Sequence, residues 1–143
     1  MEKISRVQFL ECLSQKWQPL VGCFQGLSEQ EQAAFLTRQG YATLGGLLGH
    51  IIAWWQDGAQ VVEKMRADAD MPLADYDVDE FNARAVARFK GLEDAAVMRE
   101  YEAQRQRMAA LVSRLSDDEL QRDNINKRLY YEIIMHWSEH TLS

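Results

Sequence analysis

The sequence predicts an all-α fold, most simply a four-helix bundle, from its size and from the spacing of its apolar residues. Its 143 residues are 47% hydrophobic and 27% charged, which is typical of one compact domain over residues 1–143. Apolar residues recur at intervals of three and four along most of the chain, as they do on one face of a helix. No stretch shows the period of two that a half-buried strand would show. We therefore expect four principal helices joined by short connections.

The first part of the chain predicts one long helix and one short helix. The apolar stripe of the long helix consists of Val7, Leu10, Leu13, Trp17, Leu20 and Phe24. Pro19 lacks an amide hydrogen and its ring clashes with the carbonyl four residues earlier, so we expect this helix to kink or open near Gln15. Ser28 and Glu31 have the spacing of a capping box, which predicts a short helix that ends at Gly40.

Two further helical regions follow. Thr43 is a candidate N-cap for a long helix that frays before Pro72. Another region begins near Asp79, is interrupted at Gly91 and resumes as far as Leu115. Its inward face should consist of Val78, Phe81, Ala85 and Phe89, and then of Met98, Tyr101, Met108, Leu111 or Val112, and Leu115.

A last helix is predicted from about Lys127 to the end of the chain. Ser116 and Glu119 have capping-box spacing shortly before it. The apolar side of the last helix should carry Leu129, Ile133 and Trp137.

The charge balance disfavours nucleic acids and membranes as partners. Twenty-two acidic and sixteen basic side chains give a net charge of −6 at pH 7. The most apolar segment, residues 41–55, is shorter than a membrane span. We expect a soluble, cytoplasmic protein. Its two cysteines, Cys12 and Cys23, would lie three turns apart on one helix, so we expect two reduced core residues and no disulfide.

The three histidines of the chain predict a metal site. His136 and His140 are four residues apart, so their imidazoles project from one helix face about one turn apart. That face also carries Ile133, and His50 lies in line with the apolar residue Leu47, so all three histidines should point inward. Three imidazoles that converge would hold a divalent ion and leave open positions for water or substrate. The alternative is three core histidines, each satisfied by its own hydrogen bond.

The last helix also carries a protease-like pattern. His136 to His140 reads His-x-x-Glu-His, as in inverted zinc proteases. Those enzymes take another acidic ligand from well downstream, and only three residues follow His140, so we do not expect a peptidase.

These features together resemble a known family, the DinB-like superfamily, which includes the YfiT and ClbS/DfsB-type proteins. The resemblance lies in the run TLGGLLGHIIAWW at residues 43–55 and in His136-x-x-x-His140 of the last helix. It implies an up-down-down-up bundle in which His50, His136 and His140 bind a divalent ion such as zinc or nickel. It also implies a metal-dependent hydrolase, or a thiol S-transferase or isomerase. Residues 81–120 are most similar to the ClbS/DfsB branch, some members of which protect cells from reactive natural products.

Several residues near the histidines are candidates for a substrate pocket. Trp54 is one turn from His50, where it would wall a pocket or fill the core. Arg105 lies on the apolar stripe of Tyr101, where it would receive an anionic group or reach out to an acidic residue at the rim. We therefore assign Trp54, Tyr101 and Arg105 to the substrate pocket.

Two polar residues have open roles. Glu132, one turn before His136, would orient that ligand or be an ordinary flanking charge, and Asn82 is similarly ambiguous. No catalytic base is assigned, although Glu132 and Glu139 are the nearest acids.

The predicted function is that of a metal-binding protein, a hydrolase or thiol S-transferase that acts on a small electrophilic compound. The alternative is a non-catalytic protein that sequesters such a compound, with a structural metal or none. We also expect a homodimer, because Trp54, Trp55 and Trp137 cannot all point into one core. At least one of them should lie at an interface or a pocket mouth.

Overall fold

The helical periodicity of the sequence corresponds to an all-α structure. The computed structural model describes residues 2–140, and this part of the chain contains helices and no strand. The α-helices are α1 (Arg6–Cys12), α2 (Leu20–Gln25), α3 (Glu29–Gln39), α4 (Leu44–Ala67), α5 (Val78–Phe89), α6 (Asp94–Arg114), α7 (Asp117–Leu120), α8 (Asp123–Leu129) and α9 (His136–Glu139). There are also two π-helical segments. Leu13–Trp17 lies between α1 and α2, and Tyr130–Met135 lies between α8 and α9. Among the described helices, none is both long enough and apolar enough to cross a membrane.

The opening expected near Gln15 is present as the first π-helical segment. The amide of Gln18 donates to the carbonyl of Leu13 at 3.0 Å, five residues back, just before Pro19. Because the proline cannot donate a backbone hydrogen bond, the helix widens by one residue where the α-helical pattern would fail.

The apolar stripe of the first helix differs from the prediction. Val7 is 61% exposed, whereas Phe9, outside the predicted stripe, is fully buried. The stripe is centred on Phe9 and Leu13, and Val7 lies about 200° around the helix from Phe9. The expectation of two core cysteines is also wrong for Cys23, which is exposed, while Cys12 is buried. The π-helical segment and Pro19 break the helical phase between these two positions.

The predicted helix starts are confirmed by their caps. Ser28 with Glu31 and Ser116 with Glu119 form reciprocal capping boxes at α3 and α7. The hydroxyl of Thr43 accepts a hydrogen bond from the Gly46 amide at 3.0 Å and begins α4. The short helix α3 ends as expected at Gly40, whose φ of +85° favours glycine.

Two boundaries in the second half differ from the prediction. Val78 is the first residue of α5 and is 52% exposed, so its predicted inward position is wrong. The last helical stretch begins at Asp123 rather than near Lys127, and its π-helical segment was not expected. The predicted continuation to the end of the chain falls at residues 141–143, outside the described residues.

The long helix α4 is the centre of the packing. It packs against α5, α6 and α8, and α1 packs against α6 and the second π-helical segment. The contact between α4 and α5 is close at Gly49, where a Cβ would lie 2.7 Å from Phe89 Cδ2. This packing brings the first turns of α4 next to α9, and those two elements carry the histidines.

Candidate metal centre

The three histidines lie in buried positions at one end of the packed helices. His50 is in the second turn of α4, within a continuous buried run from residue 44 to residue 52. His136 begins α9 and His140 follows directly after it, so the two imidazoles are one turn apart. All three residues are 3% to 8% exposed. The structure therefore brings together the three histidines that the sequence predicts.

The ring nitrogens of the triad converge. Nε2 of His50 and Nε2 of His136 are 3.3 Å apart, and one ligand nitrogen from each of the three residues lies within 4.8 Å of the others. The ring centroids are separated by 5.2 Å for His50 and His136, 4.8 Å for His50 and His140, and 4.7 Å for His136 and His140. This spacing is close enough for three imidazoles to share one ion.

Hydrogen bonds on the outer side of the rings leave the inner nitrogens free. Nδ1 of His50 donates to the carbonyl of Leu47 at 2.6 Å, and Nδ1 of His140 donates to Oε1 of Gln39 at 2.6 Å. Nε2 of His140 is buried and has no hydrogen-bond partner among the described residues. A buried imidazole with one nitrogen bonded to an acceptor and the other unpaired is the arrangement of a metal ligand. The donor set therefore fits a divalent ion.

Burial keeps the triad in the neutral, ligand form. Removal from water lowers the pKa of His50 to about 4 and the pKa of His140 to about 3, with the charge of His50 adding to the effect on His140. The pKa of His136 is lowered well below its ordinary value by burial and then by the two neighbouring imidazoles. Neutral imidazoles coordinate metal ions, so the site needs no deprotonation at pH 7.

A cavity of about 210 Å³ opens beside His50 and His136. Its other polar lining residues are Asn82, Glu132 and Glu139. Its apolar lining residues are Trp54, Val78, Tyr131 and Met135, of which the last three are exposed at the rim. The triad is therefore reached through an opening with apolar edges.

Glu132 lies at this cavity but does not orient His136 through its carboxylate. The backbone carbonyl of Glu132 accepts a hydrogen bond from the ring of His136 and another from Trp55 Nε1 at 3.1 Å. The residue is 5% exposed, and Oε2 has no hydrogen-bond partner among residues 2–140. Burial raises the pKa of Glu132 to about 8, although the charge of Arg128 opposes this rise.

The predicted pocket residues separate into two groups. Trp54 lines the cavity, where its indole N–H donates to Asn82 Oδ1 at 2.7 Å and its ring stacks on Phe81 at 3.8 Å. Tyr101 and Arg105 are not among the residues that line it.

Tyr101 and Arg105 instead make contacts within and between the packed helices. The hydroxyl of Tyr101 donates to the carbonyl of Trp17 in the core. Arg105 forms an ion pair with Glu102, one turn earlier on α6. The side chain that was expected to receive an anionic group is therefore already paired with a carboxylate.

The tryptophans meet the expectation that at least one lies at a pocket mouth. Trp55 is fully buried, Trp137 is half-buried and Trp54 borders the cavity.

Two residues of the site were not predicted from the sequence, because the helical pattern does not distinguish them. Gln39, the last residue of α3, contacts His140 across 101 positions of sequence. Tyr41 stacks on His50 with ring centroids 4.6 Å apart. Both positions depend on how the segment between α3 and α4 folds over the triad, which spacing along one helix cannot indicate.

Comparison with known proteins supplies one match. A sequence model of the DinB superfamily matches residues 13–142, nearly the whole chain and all three histidines. No curated protein and no solved structure matches the chain.

Proposed function

Because the chain belongs to the DinB superfamily, we propose that it binds one divalent metal ion, zinc or nickel, and uses it to act on a small electrophilic compound. The ligands are His50, His136 and His140. The observation that carries this proposal is the convergence of three neutral, buried imidazoles beside a cavity of about 210 Å³. The unpaired Nε2 of His140 supports it, because a buried acceptor without a partner is costly unless something binds there.

The residues of the chain prepare the site in defined ways. When bound, the ion supplies Lewis-acid chemistry that polarises a substrate or activates a nucleophile. Leu47 and Gln39 hold the tautomers of His50 and His140, so that Nε2 is the free nitrogen on each ring. Trp54 and the exposed rim residues provide an apolar surface that excludes water from part of the cavity.

Two reactions suit this arrangement. In hydrolysis, water adds to the electrophilic carbon and a bond to the leaving group breaks. In thiol transfer to an aryl chloride, a carbon–sulfur bond forms, the carbon–chlorine bond breaks, and chloride and the thiol proton are released. Model substrates distinguish them: p-nitrophenyl acetate for hydrolysis, and 1-chloro-2,4-dinitrobenzene with a low-molecular-weight thiol for transfer. We expect turnover of at least one, its loss with a chelator, and its return with added zinc or nickel.

A second candidate function is sequestration without turnover. The exposed apolar rim of Val78, Tyr131 and Met135 favours it, because such a rim binds apolar compounds whether or not chemistry follows. Depletion of the compound and formation of product are measured together, with and without chelator. Stoichiometric depletion that a chelator does not change, with no product, would support sequestration and contradict the enzyme.

We also propose an up-down-down-up order for four helical stretches: α1 to α2, α4, α6, and α8 to α9. Parallel α4 and α6 are supported by Arg114 at the end of α6, which pairs with Glu63 near the end of α4 at 2.6 Å. An opposite direction for α1 is supported by Arg6, which donates to the carbonyl of Val112 near the end of α6 at 2.5 Å. Lys3 pairs with Asp123, which favours α8 beginning beside the start of α1.

The homodimer stays a prediction, although Trp54 at the cavity removes part of its basis. Light scattering at tens of micromolar tests it, and a monomer at that concentration would contradict it.

A further inference from the structure

We propose that the cavity beside the triad takes an apolar compound that carries an amine, and that Glu132 is the specificity-determining residue that recognises the amine. This inference rests on the proposed function for the location of the substrate site. It adds the chemical class of the compound. Its support comes from the surroundings of Glu132, which are independent of the three histidines' ability to hold an ion.

The carboxyl group of Glu132 is buried and only partly engaged. Its side chain is 7% exposed, and Oε1 lies 3.7 Å from Nε of Arg128. Oε2 has no hydrogen-bond partner among the described residues. Glu132 is one of the residues that line the cavity, so we place a ligand N–H group there as the missing donor to its carboxyl group.

The cluster around Glu132 contains more carboxyl groups than cations, which favours a cationic ligand. Arg128 is 5% exposed at its side chain and donates to Asp57 Oδ2 at 2.9 Å and to the Tyr76 hydroxyl at 2.8 Å. Tyr76 in turn donates to the same oxygen of Asp57 at 2.6 Å. The guanidinium is therefore committed mainly to Asp57, and the cluster has one carboxyl group more than it has cations. An ammonium group beside Glu132 would favour the ionised carboxylate and complete the pairing.

The backbone of α4 makes room for this carboxyl. A Cβ at Gly58 would lie 2.9 Å from Cγ of Glu132 and 3.1 Å from its Oε2. Contacts this short would force the side chain to shift. Glycine at position 58 thus lets Glu132 occupy its buried position against the cavity.

The lining of the cavity disfavours an anionic ligand. Within residues 2–140, the side chains that line it include Glu132 and Glu139 and no lysine or arginine. Arg105, the predicted receiver of an anion, is paired with Glu102 elsewhere. A carboxylate or phosphate ligand would therefore find no cationic side chain in this lining to pair with.

A second hollow extends the site on the far side of Glu132. It has a volume of about 180 Å³ and shares Trp54, Tyr131 and Glu132 with the first cavity. Leu73, Ala74, Tyr76 and Arg128 also line it. The guanidinium of Arg128 is held by Asp57 and Tyr76, and the rest of this lining is mainly apolar. Glu132 lines both hollows, which fits a compound with an apolar body and an amine at its middle or end.

Three probes with the same phenylethyl body test the inference: 2-phenylethylamine, 2-phenylethanol and 3-phenylpropionate. Their dissociation constants are measured by NMR titration with the full-length protein, once in chelator and once with one equivalent of zinc. The variants are Glu132→Gln, which keeps the size of the side chain, and Glu102→Gln, which removes a carboxylate outside the cavity. Glu139→Gln tests the other carboxyl of the cavity.

We expect the wild type in chelator to bind the amine at least about tenfold more tightly than the carboxylate. The comparison in chelator decides, because a bound zinc ion would itself attract the carboxylate probe. Glu132→Gln should weaken amine binding about tenfold and change alcohol binding by less than about threefold, because the amide still accepts a hydrogen bond. Glu102→Gln should bind all three probes as the wild type does.

The inference is overturned if the wild type in chelator binds the carboxylate as tightly as the amine. This comparison needs no variant, so it decides even if Glu132→Gln does not fold. Loss of the amine preference in Glu139→Gln but not in Glu132→Gln would also overturn it. Failure to take up zinc with the amine preference intact would contradict the proposed metal function and leave the inference standing.

Discussion

Gln39→Ala is expected to weaken metal binding although Gln39 is not a ligand. Gln39 Oε1 accepts the hydrogen bond from His140 Nδ1 at 2.6 Å, which places the free lone pair of His140 on Nε2. Without that acceptor, the ring can rotate or adopt the other tautomer, and Nε2 is then no longer held toward His50 and His136.

The size of the effect follows from the burial of His140. Loss of a partner on the outer side of a metal-bound histidine typically lowers metal affinity 10-fold to 100-fold, or about 1.4 to 2.7 kcal/mol. His140 is 4% exposed, so water cannot easily replace the amide. In the metal-free protein, the unpaired Nδ1–H should lower the free energy of unfolding by about 1–3 kcal/mol.

The assay is zinc competition against a chromophoric chelator at pH 7.5, with wild type, Gln39→Ala and Gln39→Glu. Gln32→Ala is the matched control, because Gln32 also lies on α3 and donates to the carbonyls of Phe24 and Leu27 rather than to the triad. We expect Gln39→Glu to bind zinc at least as tightly as the wild type and Gln32→Ala to bind it equally. Equal affinity for Gln39→Ala and wild type would refute the reasoning.

Two other predictions concern stability, measured by urea denaturation in chelator. Burial lowers the pKa of His140 from its ordinary value of 6.5 to about 3, so the folded protein favours the neutral ring. The contribution of the neutral ring to the free energy of unfolding is therefore present above pH 6.5 and is lost as the pH falls toward 3. Between pH 7 and pH 5 the wild type should lose about 2 kcal/mol more than His140→Leu, and parallel curves would argue against this. Gly49→Ala should lower the free energy of unfolding by about 1–2 kcal/mol, because its Cβ would lie 2.7 Å from Phe89. In the control Gly22→Ala the new Cβ meets nothing within 4 Å, so this variant should be neutral or slightly stabilising. Equal stability of the two variants would contradict the packing described at Gly49.

The helices and their caps could be predicted because they depend on local spacing. Ser28, Thr43 and Ser116 begin their helices as expected, since a cap needs only a side-chain oxygen and the amides two or three residues later. Pro19 indicated the opening near Gln15 for a similarly local reason. The second π-helical segment, Tyr130–Met135, carries no proline and was not foreseen.

The triad was predictable and its surroundings were not. His136 and His140 share a helix face, and His50 shares its face with Leu47, so burial of both faces brings the rings together. The partners of those rings come from elsewhere, as with Gln39 at the end of α3. Arg105 takes the second of its two predicted roles, since it pairs with an acidic residue, Glu102, three residues earlier on the same helix.

X-ray absorption at the zinc edge tests the central claim, that His50, His136 and His140 hold one divalent ion. The sample is the untagged full-length protein loaded with one equivalent of zinc and freed of excess metal. We predict one zinc per chain, with three imidazole nitrogens at about 2.0–2.1 Å and oxygen ligands completing the shell. Uptake far below one equivalent, or a shell with sulfur or with fewer than three imidazoles, would contradict it.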